Sequence, residues 1–256
     1  RSVRSGKDFW WATSKNDPIS SELELWLSEE KERGQSVIGI FPNLVWDNAS
    51  AFKSSNEIYH NLYDWLQDTA AIAQKFQCLS FVIRGHPVEA TQHASSESAV
   101  ELLRNVLAEV PESVQNRFYL IEDASTDSYF LSNVVDAIYL FNGTFGLEMM
   151  HLEKPVIWAS NSIMARRCNW LVPKTRCELI AMLCNVGAVD FQDRLDPDQR
   201  RRIVAYYFYC FHLHSNSFLG VNKSIGYRGD IHIDDHEIFI NVESQVLHQK
   251  VNVIRS

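Results

Sequence analysis

Short apolar runs rich in β-branched residues alternate with amphipathic stretches along most of this chain, and that alternation limits what it can fold into. The runs SVIGIF (36–41), LSFVIRG (79–85), RFYLI (117–121), DAIYLF (136–141) and PVIWA (155–159) have the length and composition of buried strands. Between the first two lies a predicted helix over 59–76, with Leu62, Trp65, Leu66, Ala70, Ala73 and Phe76 near helical spacing. Further helices are predicted over 98–110, with Val100, Leu103, Val106, Leu107 and Val110 as the inner stripe, and over 128–134, 145–152 and 176–186. Strand and helix repeated in this order imply right-handed βαβ units and a mostly parallel sheet covered by helices on both faces.

The expected fold is therefore α/β and Rossmann-like, over residues 36–195. Residues 1–35 read as a linker and a leading helix, which starts at Ser20 or Ser21 and closes at Gly34. Residues 196–256 read as a C-terminal helix over 198–214, packed with aromatics, and an appendage in which 230–242 alternates like a hairpin strand. No internal repeat is visible.

Bulk composition removes several classes of function. A net charge of −8 is the wrong sign for a broad nucleic-acid-binding face, so no nucleic-acid partner is expected. No run approaches the roughly 18 apolar residues of a membrane span. The five cysteines are odd in number and scattered, which argues against a disulfide framework and for a reducing, cytoplasmic setting. Neither a Gly-x-Gly-x-x-Gly fingerprint nor a phosphate-binding loop ending in Gly-Lys-Ser/Thr occurs, and there is no Gly-x-Ser-x-Gly elbow. His232, Asp234, Asp235 and His236 gather four potential metal ligands, but a solvated hairpin face explains them better, and no metal is expected.

Ligands of parallel sheets bind beyond the carboxyl ends of the strands, so the loops after residues 41, 84, 141 and 159 matter most. The first carries Asn43 and Asp47, and the second carries Arg84, His86 and Pro87. The third carries Asn142, Gly143, Thr144 and, one turn into the next helix, Glu148. Gly143 and Thr144 at a helix start offer backbone N–H groups, a hydroxyl and the positive end of the helix dipole, which suit a phosphate. Glu148 is placed to accept hydrogen bonds from ribose hydroxyls, and Arg84 and His86 to neutralise a phosphate. Each signal has a plain structural reading as well. Asn-Gly is a common turn pair, Thr a common cap, His86 a structural hydrogen-bonder and Glu148 a solvated carboxylate. Their convergence on one sheet edge favours the ligand reading.

The ordered set resembles the capsule polysaccharide biosynthesis glycosyltransferases, a group that includes transferases of 3-deoxy-manno-octulosonic acid (Kdo). The residues that carry the resemblance are FPNLVWD (41–47), Tyr63-Asp64-Trp65-Leu66, Arg84-x-His86-Pro87-x-Glu89, Asn142-Gly143-Thr144-x-Gly146-Leu147-Glu148 and Lys154-Pro155-Val156-Ile157. The His-Pro element is also similar to one in bacterial sialyltransferases of the two-domain GT-B type. The match covers residues 36–160, and Gly143 stands where that family usually has a hydroxyl residue.

The resemblance implies that the chain is the C-terminal, donor-binding half of a GT-B enzyme. His86 and Pro87 would contact the nucleotide, Thr144 its phosphate and Glu148 its ribose, with Asn43 and Asp47 facing the transferred sugar. Asp47 and His86 are the catalytic candidates. The partners implied are a nucleotide-sugar donor, CMP-linked on the strength of the His-Pro element, and a glycan or glycolipid acceptor, with peripheral association at the inner face of the membrane. No cofactor beyond the donor is implied. An N-terminal acceptor-binding domain would have to come from elsewhere, since little precedes residue 36. The competing readings are a non-catalytic nucleotide- or carbohydrate-binding module and a nucleotide-sugar epimerase of the same fold.

Overall fold

The computed structural model describes residues 19–42, 58–86, 98–121, 126–159, 162–168, 170, 172–186 and 196–208. The predicted C-terminal hairpin and the end of the last helix lie outside these residues. The chain divides into two compact units, one of 1–166 with 171–194 and one of 167–170 with 195–256.

The first unit is built on five parallel strands in the order β3-β2-β1-β4-β5. They are β1 (Ser36–Ile40), β2 (Leu79–Arg84), β3 (Phe118–Ile121), β4 (Ala137–Leu140) and β5 (Val156–Trp158). β1 pairs with β2 from Ser36↔Leu79 to Ile40↔Ile83, and with β4 from Ile38↔Ala137 to Ile40↔Tyr139. The strands read as continuous apolar runs because both faces of the sheet are covered.

Helices α1 (Ser21–Glu32), α2 (Leu62–Lys75), α3 (Ala99–Leu107), α4 (Glu112–Gln115), α5 (Ser128–Val134), α6 (Thr144–His151), α7 (Ile163–Arg167) and α8 (Arg176–Cys184) accompany the sheet, and α9 (Pro197–Phe208) belongs to the second unit. The predicted helix over 59–76 begins at Leu62 instead, because Asn61 is extended and its side chain accepts from the Asp64 N–H at 2.8 Å. Ser20 caps α1 in the same way, and Gly34, at φ 74°, ends it in the left-handed conformation that glycine tolerates best. The four-residue α4 and five-residue α7 were not legible, being too short to show a period.

One face of the sheet packs α2, α3 and α8 over Ile38, Ile40, Phe81, Ile83, Tyr139 and Ile157. Each fully buried aliphatic or Phe side chain there contributes roughly 1.5–3 kcal/mol. A polar chain runs through this layer. The buried Tyr139 hydroxyl donates to the Tyr59 hydroxyl at 3.4 Å, and Tyr59 donates to Asp68 Oδ2 at 2.7 Å. Arg176 grips the same carboxylate, with Nε 2.9 Å from both oxygens. Burial pushes both phenols up, so they stay neutral donors. The chain ties α8 to α2 and both to β4.

The opposite face is covered by α1, α5 and α6. Glu30 of α1 is fully buried and accepts from Ser80 Oγ of β2 at 2.6 Å and from Arg33. At Gly146 of α6, an added Cβ would fall inside contact distance of the Trp158 ring and 2.6 Å from Leu140 Cδ1. The helix therefore lies on β4 and β5 backbone-close, as only glycine permits. Gly146→Ala is expected to lower stability by about 1–3 kcal/mol or more, read by urea unfolding, since the rigid indole has nowhere to go. An alanine protein as stable as the parent would mean that α6 stands farther off the sheet.

Candidate functional site

The strand order reverses at β1. The chain leaves β1 for α2 on one face and leaves the adjacent β4 for α6 on the other. In such sheets the ligand position lies outside the carboxyl ends of those two strands. The Phe41 N–H bonds to the Tyr139 carbonyl at 3.3 Å and holds the two exits side by side.

The exit from β4 is shaped by Gly143. Its φ of 125° with ψ of 157° lies in a region open essentially to glycine alone. Its N–H bonds to Asn142 Oδ1 at 2.9 Å, and its carbonyl accepts from the Gly146 N–H at 3.3 Å. Ser20, Asn61, Ser98, Asp127 and Thr175 cap the starts of α1, α2, α3, α5 and α8 with their own side chains. No side-chain hydrogen bond caps the start of α6. Its first-turn amides and its dipole thus point out of the carboxyl edge beside an exposed Thr144 hydroxyl.

One turn further on, Glu148 is 8% exposed, not the solvated carboxylate that a helix surface would give. It accepts a hydrogen bond on Oε2 from the Tyr129 hydroxyl of α5. Burial pushes its carboxyl up to about 7, while the bond from Tyr129 pulls it down. Near neutral pH the group is therefore divided between a proton donor and an acceptor. Tyr129 also meets Phe145 edge-on, with centroids 5.9 Å apart at 78°, and Phe145 packs on Phe41 at 4.7 Å. Phe41, Tyr129, Phe145 and Glu148 thus join the ends of β1, α5 and α6 into one patch.

At the end of β2, Arg84 is buried. Its Nε donates to the Thr126 carbonyl at 2.9 Å and its Nη1 to the Gly85 carbonyl at 3.1 Å. In this conformation Nε ties the Thr126 carbonyl, just ahead of α5, to the end of β2. His86 follows, half-buried, on the same edge. Of the residues expected at the site, Arg84 and His86 follow β2 and Asn142, Gly143, Thr144 and Glu148 follow β4, on the same carboxyl edge with β1 between them, while Asn43, Asp47 and Pro87 lie outside the described residues. So do His232, Asp234, Asp235 and His236. Among the described residues no group of three His, Cys, Asp or Glu side chains is placed to hold a metal ion, and no helix is long and apolar enough to cross a membrane. Sequence reading missed Tyr129, Phe41 and Phe145. A tyrosine two residues after the N-cap aspartate of a seven-residue helix carries no motif, and its partner lies 19 residues away.

No protein-family model matches the chain, and no curated protein matches it. Solved structures resemble it in part. One is a protein of Listeria monocytogenes assigned as a UDP-N-acetylglucosamine 2-epimerase, at 14% identity over 76% of this chain and 49% of that one, with a TM-score of 0.45. Another is KpsC of Thermosulfurimonas dismutans, a β-Kdo 2,7 transferase, at 14% identity over 64% and 53%, with a TM-score of 0.37. A third is S. aureus MnaA in a structure with UDP, at 12% identity over 76% and 50%, with a TM-score of 0.42. The chain spans about half the length of each. At these identities and TM-scores the likeness is one of general architecture, and the reading of the site rests on this chain's own geometry.

The raised Glu148 carboxyl has a measurable consequence for stability. Below about pH 4.5 the group is protonated in both folded and unfolded protein. Between about 4.5 and 7 only the unfolded chain ionises it, so its contribution to stability falls as pH rises and is lost above 7. Glu148→Gln should therefore gain stability relative to the parent across that window, by on the order of 2–3 kcal/mol, and hold the gain above it. Parallel stability curves for the two proteins in denaturant titrations from pH 4.5 to 8 would contradict a buried carboxyl.

Proposed function

We propose that this chain is the donor-binding half of a glycosyltransferase that uses a nucleotide-activated sugar. What supports the reading is one juxtaposition: the uncapped start of α6, with Gly143 and Thr144, stands at the β1/β4 reversal one turn from the buried Glu148. The two halves of that arrangement suit the two halves of a nucleotide. The amides of the first turn and the Thr144 hydroxyl would hold a phosphate, and the Glu148 carboxylate would accept from ribose hydroxyls.

In the reaction, an acceptor hydroxyl attacks the anomeric carbon and gives its proton to a base, for which Asp47 and His86 are the candidates, while the bond from that carbon to the phosphate oxygen breaks and the departing phosphate gathers charge. Amides fixed by the Gly143 backbone are already aimed where that charge develops, so they stabilise it without reorganising. The His-Pro element, similar to that of bacterial sialyltransferases, favours a CMP-linked donor. The sequence resemblance to capsule polysaccharide transferases extends the proposal, with His86 and Pro87 beside the nucleotide and Asn43 and Asp47 toward the sugar. It also extends it to a glycan or glycolipid acceptor held by a further domain. Arg84 would support this site by bracing the loop before α5, and Asn142 by fixing the Gly143 amide.

Titration of the chain with CMP, UDP and GDP by calorimetry tests the reading. Binding of one nucleotide is expected, weakened about tenfold or more in Thr144→Ala and in Gly143→Ala, whose Cβ the backbone at 143 disfavours. Absence of binding by a folded sample would sink the donor-site reading. Nucleotide binding without sugar transfer to any acceptor, with the full-length protein, would favour the non-catalytic module.

A further inference from the structure

Tyr129 is held more firmly than packing alone requires. Asp127 Oδ1 accepts from its backbone N–H at 2.7 Å and from that of Phe130 at 3.4 Å, and Ser132 Oγ donates to its carbonyl at 2.8 Å. Its ring is set edge-on against Phe145, which packs on Phe41. Both its main chain and its ring are thus fixed, and its hydroxyl is delivered to one carboxyl oxygen of the buried Glu148. A phenylalanine would pack equally well against Phe145. The hydroxyl is the part that needs a reason.

We propose that Tyr129 is the positioning residue that lets this site tell ribose from deoxyribose, by fixing the Glu148 carboxylate through Oε2 so that Oε1 takes the 2′,3′-diol of the bound nucleotide. The inference rests on the nucleotide reading above and adds the residue that decides its sugar specificity. A carboxylate that rotates freely between partners gives up part of each bond in ordering, whereas one held by a rigid phenol is oriented before the ligand arrives. The same bond favours the ionised carboxylate, the form that accepts from two hydroxyls. A nucleotide without those hydroxyls gains nothing from either effect.

Among the described residues, few other titratable groups lie on the elements packed around Glu148. β4 and β5 present Ile138, Leu140, Val156 and Trp158 on the face that α6 covers, none of them titratable. From α5 come Tyr129 and, at its cap, Asp127, and the exit of β1 contributes Phe41. On α6 itself His151 lies nearly one turn on, and burial holds its imidazole low and therefore neutral near pH 7. Tyr129 is thus the hydroxyl whose removal should move the Glu148 titration, and it should move it upward.

The test compares CMP and UDP with their 2′,3′-dideoxy counterparts, titrated into the parent and Tyr129→Phe at several pH values from 6 to 8.5. The parent should bind the ribonucleotide at least about tenfold more tightly, the loss expected when a charged acceptor goes unpaired. That preference, in which the titration of the nucleotide phosphate cancels because both ligands share it, should rise with pH to a plateau above about 7. In Tyr129→Phe the preference should shrink to about threefold or less, the dideoxy affinity should stay level, and the midpoint of the pH dependence should move up. Glu148→Gln, which keeps a partner for the Tyr129 hydroxyl, should show a small preference that does not change with pH. An unchanged preference and midpoint in Tyr129→Phe would overturn the inference while leaving the nucleotide reading intact. Equal loss of both ligands would overturn it too, by showing a structural role only. Failure of the parent to bind either ribonucleotide would overturn both readings.

Discussion

Helix α6 lies so close to β4 and β5 that residue 146 has no room for a side chain, and much of the carboxyl edge depends on that approach. The Trp158 ring fills the space a Cβ would need, so the helix cannot move inward. The following turn is buried from Gly146 to Met150, so it cannot easily lift off. With the helix axis set, its first turn has to begin at the mouth of β4, and the chain reaches that point through a backbone conformation only Gly143 adopts readily. Two glycines three residues apart thus have different tasks: one lets the helix approach the sheet, and the other lets the chain enter it.

The approach also decides what happens to Glu148. On a helix held at an ordinary distance, its carboxyl would reach water. Here it is carried below the surface, where the available partner among the described residues is the phenol of Tyr129. The cost of desolvating a carboxylate shows as a raised pKa, a sign more often seen at functional positions than at structural ones. On the far side of the sheet, the Tyr139–Tyr59–Asp68–Arg176 chain anchors α2 and α8 to β4. The strand that carries the candidate site is therefore braced on both faces.

The layered architecture was legible because both faces of the sheet are covered. Coverage turns each strand into an unbroken apolar run, and each helix shows its buried stripe at 3.6-residue spacing. The start of α1 was legible because Ser20 precedes the stripe, whereas the cap at Asn61 was passed over and α2 expected three residues early. The strand order was not legible, since pairing of β1 with β4 joins segments about 100 residues apart and no local pattern reports it. At the site, Gly143, Thr144 and Glu148 could be found because they share one short segment. Arg84 was read as a phosphate cation, while in the structure two of its donors go to backbone carbonyls, a use that depends on where Thr126 falls. Tyr129 was invisible for the same reason: its meaning comes wholly from a tertiary contact.

The central claim is that ligand binds at the carboxyl ends of β1 and β4, against the start of α6. Hydrogen–deuterium exchange of the whole chain, with and without saturating CMP or UDP, tests it most directly. Exchange should slow at 141–148 and at 126–131, with β3, α1 and the amino ends of the strands unchanged. Protection confined to the groove between Trp26 and Tyr119, or to α9, would contradict it and move the site elsewhere in the molecule.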